Sequence, residues 1–177
     1  MMNGKNSDES NTMRNSMDTL VDPKMHGQYL SFTLGKEAYG VDILRVQEIK
    51  GWEDVRPLPD TPEYIKGVLD LRGNIVPIID LRSRFHLDSV EYTPTTVTIV
   101  LSVKTEAKDY VVGIVVDGVS DVLDVESINV RQVPDLGTRI NTKYITGMVS
   151  QDDRMILLLN TDRLFDSEEL SISDTLE

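Results

Sequence analysis

From Gln28 the chain alternates apolar and polar positions with period two, in YLSFTL and again in EAYGVDI after Gly35 and Lys36. That pattern predicts a β-hairpin with one face buried. LRVQEI follows, with irregular spacing of Leu44, Val46 and Ile49, and is compatible with a strand or with one helical turn. WEDVRPLPDTPEY places Pro57, Pro59 and Pro62 within six residues, which excludes a helix interior and marks a loop or an edge. IKGVLDL and NIVPIIDL, joined at Arg72-Gly73-Asn74, predict a second hairpin, with Pro77 implying an edge or a bulge. LRSRFHL predicts a short helix. TPTTVTIVLSV and DYVVGIVVDGV predict another hairpin, connected by KTEAKD, and SDVLDVESINVRQVPDLGT a strand and then a loop broken by Pro134 and Gly137. YITGMVSQDDRMILLLN predicts a further hairpin turning at Asp152-Asp153. TDRLFDSEELSIS predicts a C-terminal helix capped by Asn160 or Thr161, with Asp162 in its first turn.

The chain repeats itself. Shifted by 80 residues, positions 64–85 lie over 144–165 without a gap, matching Tyr64, Ile65, Gly67 and Phe85 to Tyr144, Ile145, Gly147 and Phe165. Shifted by 73, positions 40–49 lie over 113–122, matching Gly40 to Gly113, Val46 to Val119, Glu48 to Asp121 and Ile49 to Val122. Both matches run in the same order, which argues for duplication rather than for chance similarity between β-rich segments. Short half-buried strands at this spacing predict two similar five-stranded β-barrels, an all-β fold with short helices and a C-terminal helix.

Composition narrows what such a fold does. Residues 1–27 are polar and lack any aromatic, and predict a mobile tail; 28–170 form the folded domain; 171–177 form an acidic C-terminal tail. The net charge of −12, without a basic stripe, argues against a nucleic-acid backbone as partner. An oligonucleotide-binding barrel is therefore a weak alternative. There is no cysteine, no apolar signal segment and no run long enough to span a bilayer, so a soluble cytoplasmic protein without membrane insertion is expected.

Catalytic equipment is not evident. The two histidines, His26 in the tail and His86 after the short helix, lack plausible partners, and no phosphate-cradling glycine motif occurs. Asp60-Thr61-Pro62 lacks the glycine that an aspartic-protease loop needs. Asp70 and Asp80 have the residue types of a general acid and base, and a hydrolase using them is a second weak alternative. But Asp70 and Arg72 flank Leu71 in period two, the geometry of an exposed ionic edge worth about 0 to 1 kcal/mol per pair. Arg72 is the candidate contact residue, because the repeat sets Asp152 over it. Asp80, set over Asn160, reads as a helix cap. Glu48 alone reads as a solvated acid, and Gly67 and Gly113 as glycines at a bulge or a close backbone approach. The residues favour binding over turnover, with no catalytic residue, cofactor or metal.

YLSFTLGKEAYGVDILRVQEIKGW, TPEYIKGVLDLRGNIVPIIDLR and VVGIVVDGVSDVL, in this order and spacing, resemble the CheW chemotaxis coupling proteins over Gln28 to Leu170. The resemblance implies a non-enzymatic scaffold of two intertwined barrels, linking methyl-accepting chemoreceptor tips to the regulatory domain of the CheA histidine kinase. Receptors would dock in the groove between barrels and kinase domains at barrel ends. The chain's length fits the stand-alone coupler, monomeric alone and recruited to membrane receptor arrays. The family's sensitive positions match Val46, Glu48, Gly67, Arg72, Val97, Gly113 and Val122, with Glu48 and Arg72 matching a salt bridge near the partner surface. Val46, Ile49, Val97 and Val122 would line an apolar groove. Thr98 departs from the apolar residue usual beside Val97. A paralogue serving a non-motility chemosensory pathway is the alternative within the family.

Overall fold

A computed structural model describes residues 27–87, 90–126, 129–133 and 142–175. The expected tail therefore lies almost wholly outside the described residues, as do His26, Pro134 and Gly137. Ten strands form among the described residues: β1 (Gly27–Leu34), β2 (Glu37–Asp42), β3 (Val46–Gly51), β4 (Ile65–Leu71), β5 (Asn74–Asp80), β6 (Val97–Lys104), β7 (Asp109–Val116), β8 (Gly118–Val125), β9 (Ile145–Gln151) and β10 (Arg154–Leu159). Among the described residues three short helices are α1 (Leu81–Arg84), α2 (Ser167–Leu170) and α3 (Ile172–Thr175). The ambiguous LRVQEI is both things: a 3₁₀ turn at Ile43–Arg45, then β3.

The strands make two five-stranded sheets, ordered β8-β1-β2-β10-β9 and β3-β6-β7-β5-β4. Adding five to each strand number of the first order, with β6 to β10 wrapping back to β1 to β5, produces the second. The duplication seen in sequence is thus present in topology, with a twist: each sheet takes its leading hairpin from one half of the chain and its other three strands from the other half. Registers agree as well. Ile78 pairs with Gly113 in the parallel β5–β7 ladder, and Leu158, 80 residues on, pairs with Gly40 in the parallel β10–β2 ladder. Ile78 and Leu158 also face Gly67 and Gly147 in the antiparallel ladders, so each large side chain lies between two glycines. A Cβ on Gly113 would come within 2.6 Å of Ile78 Cδ1, which explains the glycine there by close approach.

Each sheet is buried on two faces, which accounts for the continuous apolar runs IVPII and MILLL. One face of each meets the other sheet in a shared core that includes Phe32, Tyr39, Ile79, Ile99, Ile114 and Leu159. The opposite face encloses a small private core, around Val76, Ile78 and Val115 in one sheet and Leu123, Val149 and Leu158 in the other. Neither sheet is closed by a ladder between its outer strands among the described residues. Instead the segment leaving β3 makes a reciprocal pair of hydrogen bonds with β4, Arg56 with Val68, and the segment after β8 does the same with β9, Arg131 with Met148.

Two local expectations are corrected. β5 lies inside its sheet rather than at an edge, and the bulge falls at Lys66 on β4, not at Pro77. Pro77 is tolerated because the β7 ladder begins only at Ile78. The C-terminal helix starts later than expected: Asp166 caps α2 in a reciprocal box with Glu169, because Glu169 three residues on can return the bond. Asn160 instead holds a turn, its Oδ1 accepting from the Asp162 amide at 3.0 Å, as Asp80 does from the Arg82 amide in α1. Beyond Leu170, Ile172 packs on the shared core and Asp174 accepts from Lys108 and from Tyr110, the latter at 3.0 Å.

Candidate partner surface

The eight residues singled out from sequence divide between two places. Val46 and Val97 are half-buried against the shared core, on adjacent strands of one sheet. Ile49 pairs with Ile99, and Val122 on β8 of the other sheet pairs with Leu30; both partners belong to the shared core. Directly paired residues share a face. Ile49 and Val122 therefore stand on the faces that the two sheets turn toward each other, yet they are 43% and 49% exposed. Val119, paired with Phe32, is exposed on the same face, and Leu44, on the 3₁₀ turn, almost wholly so. Sequence reasoning passed over Leu44 and Val119, although the 73-residue shift that sets Val119 over Val46 contains the signal.

Glu48, Arg72, Gly67 and Gly113 belong to the other face of one sheet. The extra residue Gln47 bulges β3, so that Glu48 pairs with Val100, which neighbours Gly113 across β6 and β7. Arg72 occupies the β4–β5 turn with φ 54°, and Asp70 supports that turn by accepting from the Gly73 amide at 3.0 Å. Arg72 Nη2 comes within 3.9 Å of Glu48 Oε2. Because β3 and β4 are the opposite edges of this sheet, that approach means the sheet curls until its edges face each other. Arg72 is 87% exposed, so the pair contributes little to stability and presents charge to the outside. Gly67 and Gly113 are buried beneath it and serve packing. A Cβ on Gly67 would overlap the Arg56 carbonyl, and its φ of 144° suits only glycine.

The second Asp-Leu-Arg has the opposite character. Asp80 and Arg82 are fully buried and joined by bonds of 3.0 and 2.9 Å, with Tyr92 donating to Asp80 at 3.1 Å. Arg82 also donates to Asp117 at 2.9 Å and to the Glu91 carbonyl. Burial, and then the Asp80 carboxylate, push the Tyr92 phenol up to about 12. Asp80 is therefore a structural residue, and Asp70 and Asp80 form no acid–base pair. Arg84, clasped by Glu169 at 2.8 and 3.0 Å and stacked over Tyr144, ties α2 down in a similar way. Among the described residues no group of three metal-ligating side chains is placed to hold a metal, and no helix is long and apolar enough to cross a membrane.

At the equivalent edge of the other sheet the repeat sets Asp121 for Glu48 and Asp152 for Arg72. Both acids line one small hollow. Beside it, a cavity of about 650 Å³ lies between β8 and β9, lined by Val122, Asn129, Arg131, Gln151 and Met155 among others.

Two interlocked sheets with exposed apolar seam positions and charged edges define a binding scaffold. Residues 28–169 match the family model of the CheW-like domain, and the chain belongs to that family. It is 46% identical over 149 residues to the chemotaxis protein CheW of Klebsiella aerogenes, covering 84% of this chain and 87% of that one. To the CheW of Rhizobium meliloti it is 36% identical over 142 residues, 80% and 89% of the two chains. The crystal structure of the scaffolding protein TtCheW from Thermoanaerobacter tengcongensis superposes with a TM-score of 0.71 at 30% identity, over 82% of this chain and 91% of that one. The protein is thus a non-enzymatic chemotaxis adaptor of the CheW type.

Proposed function

We propose that the domain, residues 28–170, acts in the cytoplasm as the joint between methyl-accepting chemoreceptor tips and the regulatory domain of the CheA kinase, recruited to receptor arrays. Each sheet works as an open barrel whose edge strands are joined by a backbone bridge from the following segment. The seam between the sheets, with Val46 and Val97 beneath and Ile49 and Val122 exposed, has the apolar character that accepts one side of a receptor helix. The Glu48–Arg72 edge sets orientation and discriminates partners more than it adds affinity. Gly67 and Gly113 keep that edge in place. The observation that carries the reading is the exposed Arg72 on a turn that the fold does not need basic, since the second copy has an acid there.

The test is kinase stimulation in a reconstituted receptor array. Arg72→Glu is expected to lower it severalfold with an unchanged thermal transition; full stimulation by Arg72→Glu removes the edge from the partner surface. Ile49→Asp tests the seam separately, through pull-down of a receptor signalling fragment.

A further inference from the structure

Each sheet is completed by a hairpin from the other half of the chain, and at both crossings an arginine meets an aspartate with the charges exchanged. At the corner between β2 and β3, Arg45 donates to Asp162, which follows β10, through two bonds of 2.8 Å. At the corner between β7 and β8 the acid is on the hairpin side: Asp117 accepts at 2.9 Å from Arg82, which follows β5. The repeat makes these one place seen twice. Arg82 precedes Asp162 by 80 residues, and Arg45 lies beside Leu44, which precedes Asp117 by 73. Each acid also accepts a backbone amide from the leading hairpin of the opposite sheet: Asp162 from Lys104 at 2.8 Å, Asp117 from Gly35 at 2.6 Å.

Nothing in a duplicated fold demands opposite polarity. We propose that the exchanged charges are a key: they admit only the unlike half of the chain at each crossing, and so refuse a second copy of the protein that offers its like half. Two first halves joined would set Arg45 against Arg82, and two second halves would set Asp117 against Asp162. The arginine side chains are 20% and 0% exposed, so solvent and salt screen the repulsion between two first halves poorly, while the acids, 33% and 36% exposed, repel more weakly. Such pairing is the relevant competitor for this chain, because its two sheets share strand order and the register of their parallel ladders, so the hairpins of the two halves occupy equivalent places.

The double inversion Arg45→Asp/Asp162→Arg tests this in the full chain. It keeps a matched pair at its own crossing but gives both crossings one polarity, so like halves become matched too: the new carboxylate suits Arg82 and the new guanidinium suits Asp117. After unfolding in urea and refolding at high protein concentration, light scattering on a sizing column should show a dimer fraction on the order of tenfold above that of the unsubstituted chain, the ratio that one shielded charged hydrogen bond is worth. Arg45→Ala/Asp162→Ala, which lifts the repulsion between like halves without giving them a match, should fall between the unsubstituted chain and the double inversion. A double inversion that forms no more dimer than either of these overturns the proposal. If the inverted protein fails to fold, Arg45→Asp against Arg45→Ala decides: excess dimer with the acid alone supports the key, and equal dimer rejects it.

Discussion

The two sheets have one topology and two kinds of edge. In the β3–β7 sheet Glu48 and Arg72 face each other across the edges, while in the other the equivalent positions are Asp121 and Asp152, and a cavity of about 650 Å³ opens between β8 and β9. Inside, the copies agree: glycines on both sides of Ile78 and of Leu158, a bulge in β4 and β9, a reciprocal bridge from the following loop, and an Asp or Asn holding the turn after the last strand. What the fold requires has been kept twice, and the exposed edges have been free to differ. Edges, not cores, are therefore where a duplicated scaffold can acquire two binding specificities.

The largest test of that division compares the turn after β5 with the turn after β10. Arg82→Ala strands a fully buried Asp80 and is expected to cost about 3–5 kcal/mol. Asp162→Ala, at the equivalent place but 33% exposed, should cost only about 1 kcal/mol. Urea unfolding followed by the single Trp52, which stacks on Tyr92 4.6 Å away, reads both. Equal losses would mean that the copies are not specialised inside. Next, Gly67→Ala forces a Cβ onto a backbone carbonyl at a glycine-only φ and should cost about 2–4 kcal/mol. Gly147→Ala meets mainly the Val130 side chain, which can shift, and should cost about 1–2 kcal/mol. A reversed order would show that the Arg131 bridge, not the Arg56 bridge, is the more rigid. Asp70→Ala removes the acceptor that steadies the Arg72 turn and is expected to cost about 0.5–1 kcal/mol in the same assay.

Much of this was legible from residue order. Period-two alternation located the hairpins, and the 80- and 73-residue shifts anticipated the paired registers, because a glycine opposite a large apolar residue is a packing constraint written in single positions. The exchange of hairpins between sheets was not legible in the pattern and the repeat, which left either half able to close on itself; only the family resemblance implied intertwined barrels. Nor was the burial of Arg82 legible. Two identical Asp-Leu-Arg triplets ten residues apart carry the same local pattern, yet one sits at a hairpin tip and the other at a junction, where Glu91 and Tyr92 from the following loop and Asp117, 35 residues from Arg82, satisfy it. Likewise the helix cap fell at Asp166 because Glu169 is oriented by Arg84, a partner 85 residues away.

The smallest effect sharpens the comparison most directly, by writing one edge into the other. Asp121→Glu/Asp152→Arg gives the β8–β9 side the pair found at Glu48 and Arg72. The backbone is ready for it: Asp152 has φ 50°, close to the 54° of Arg72, so an arginine is accommodated in that turn. Both positions are exposed, and the stability gain should be within about 0.5 kcal/mol and fade with added salt. The informative readout is access to the cavity rather than stability. If such an ion pair draws the edges together, oxidation of Met155, which lines the cavity and is 51% exposed, should slow in low salt and recover in high salt. Unchanged oxidation at both salt concentrations would show that the gap is held open by its backbone, and that the ion pair in the first copy follows from closure rather than causing it.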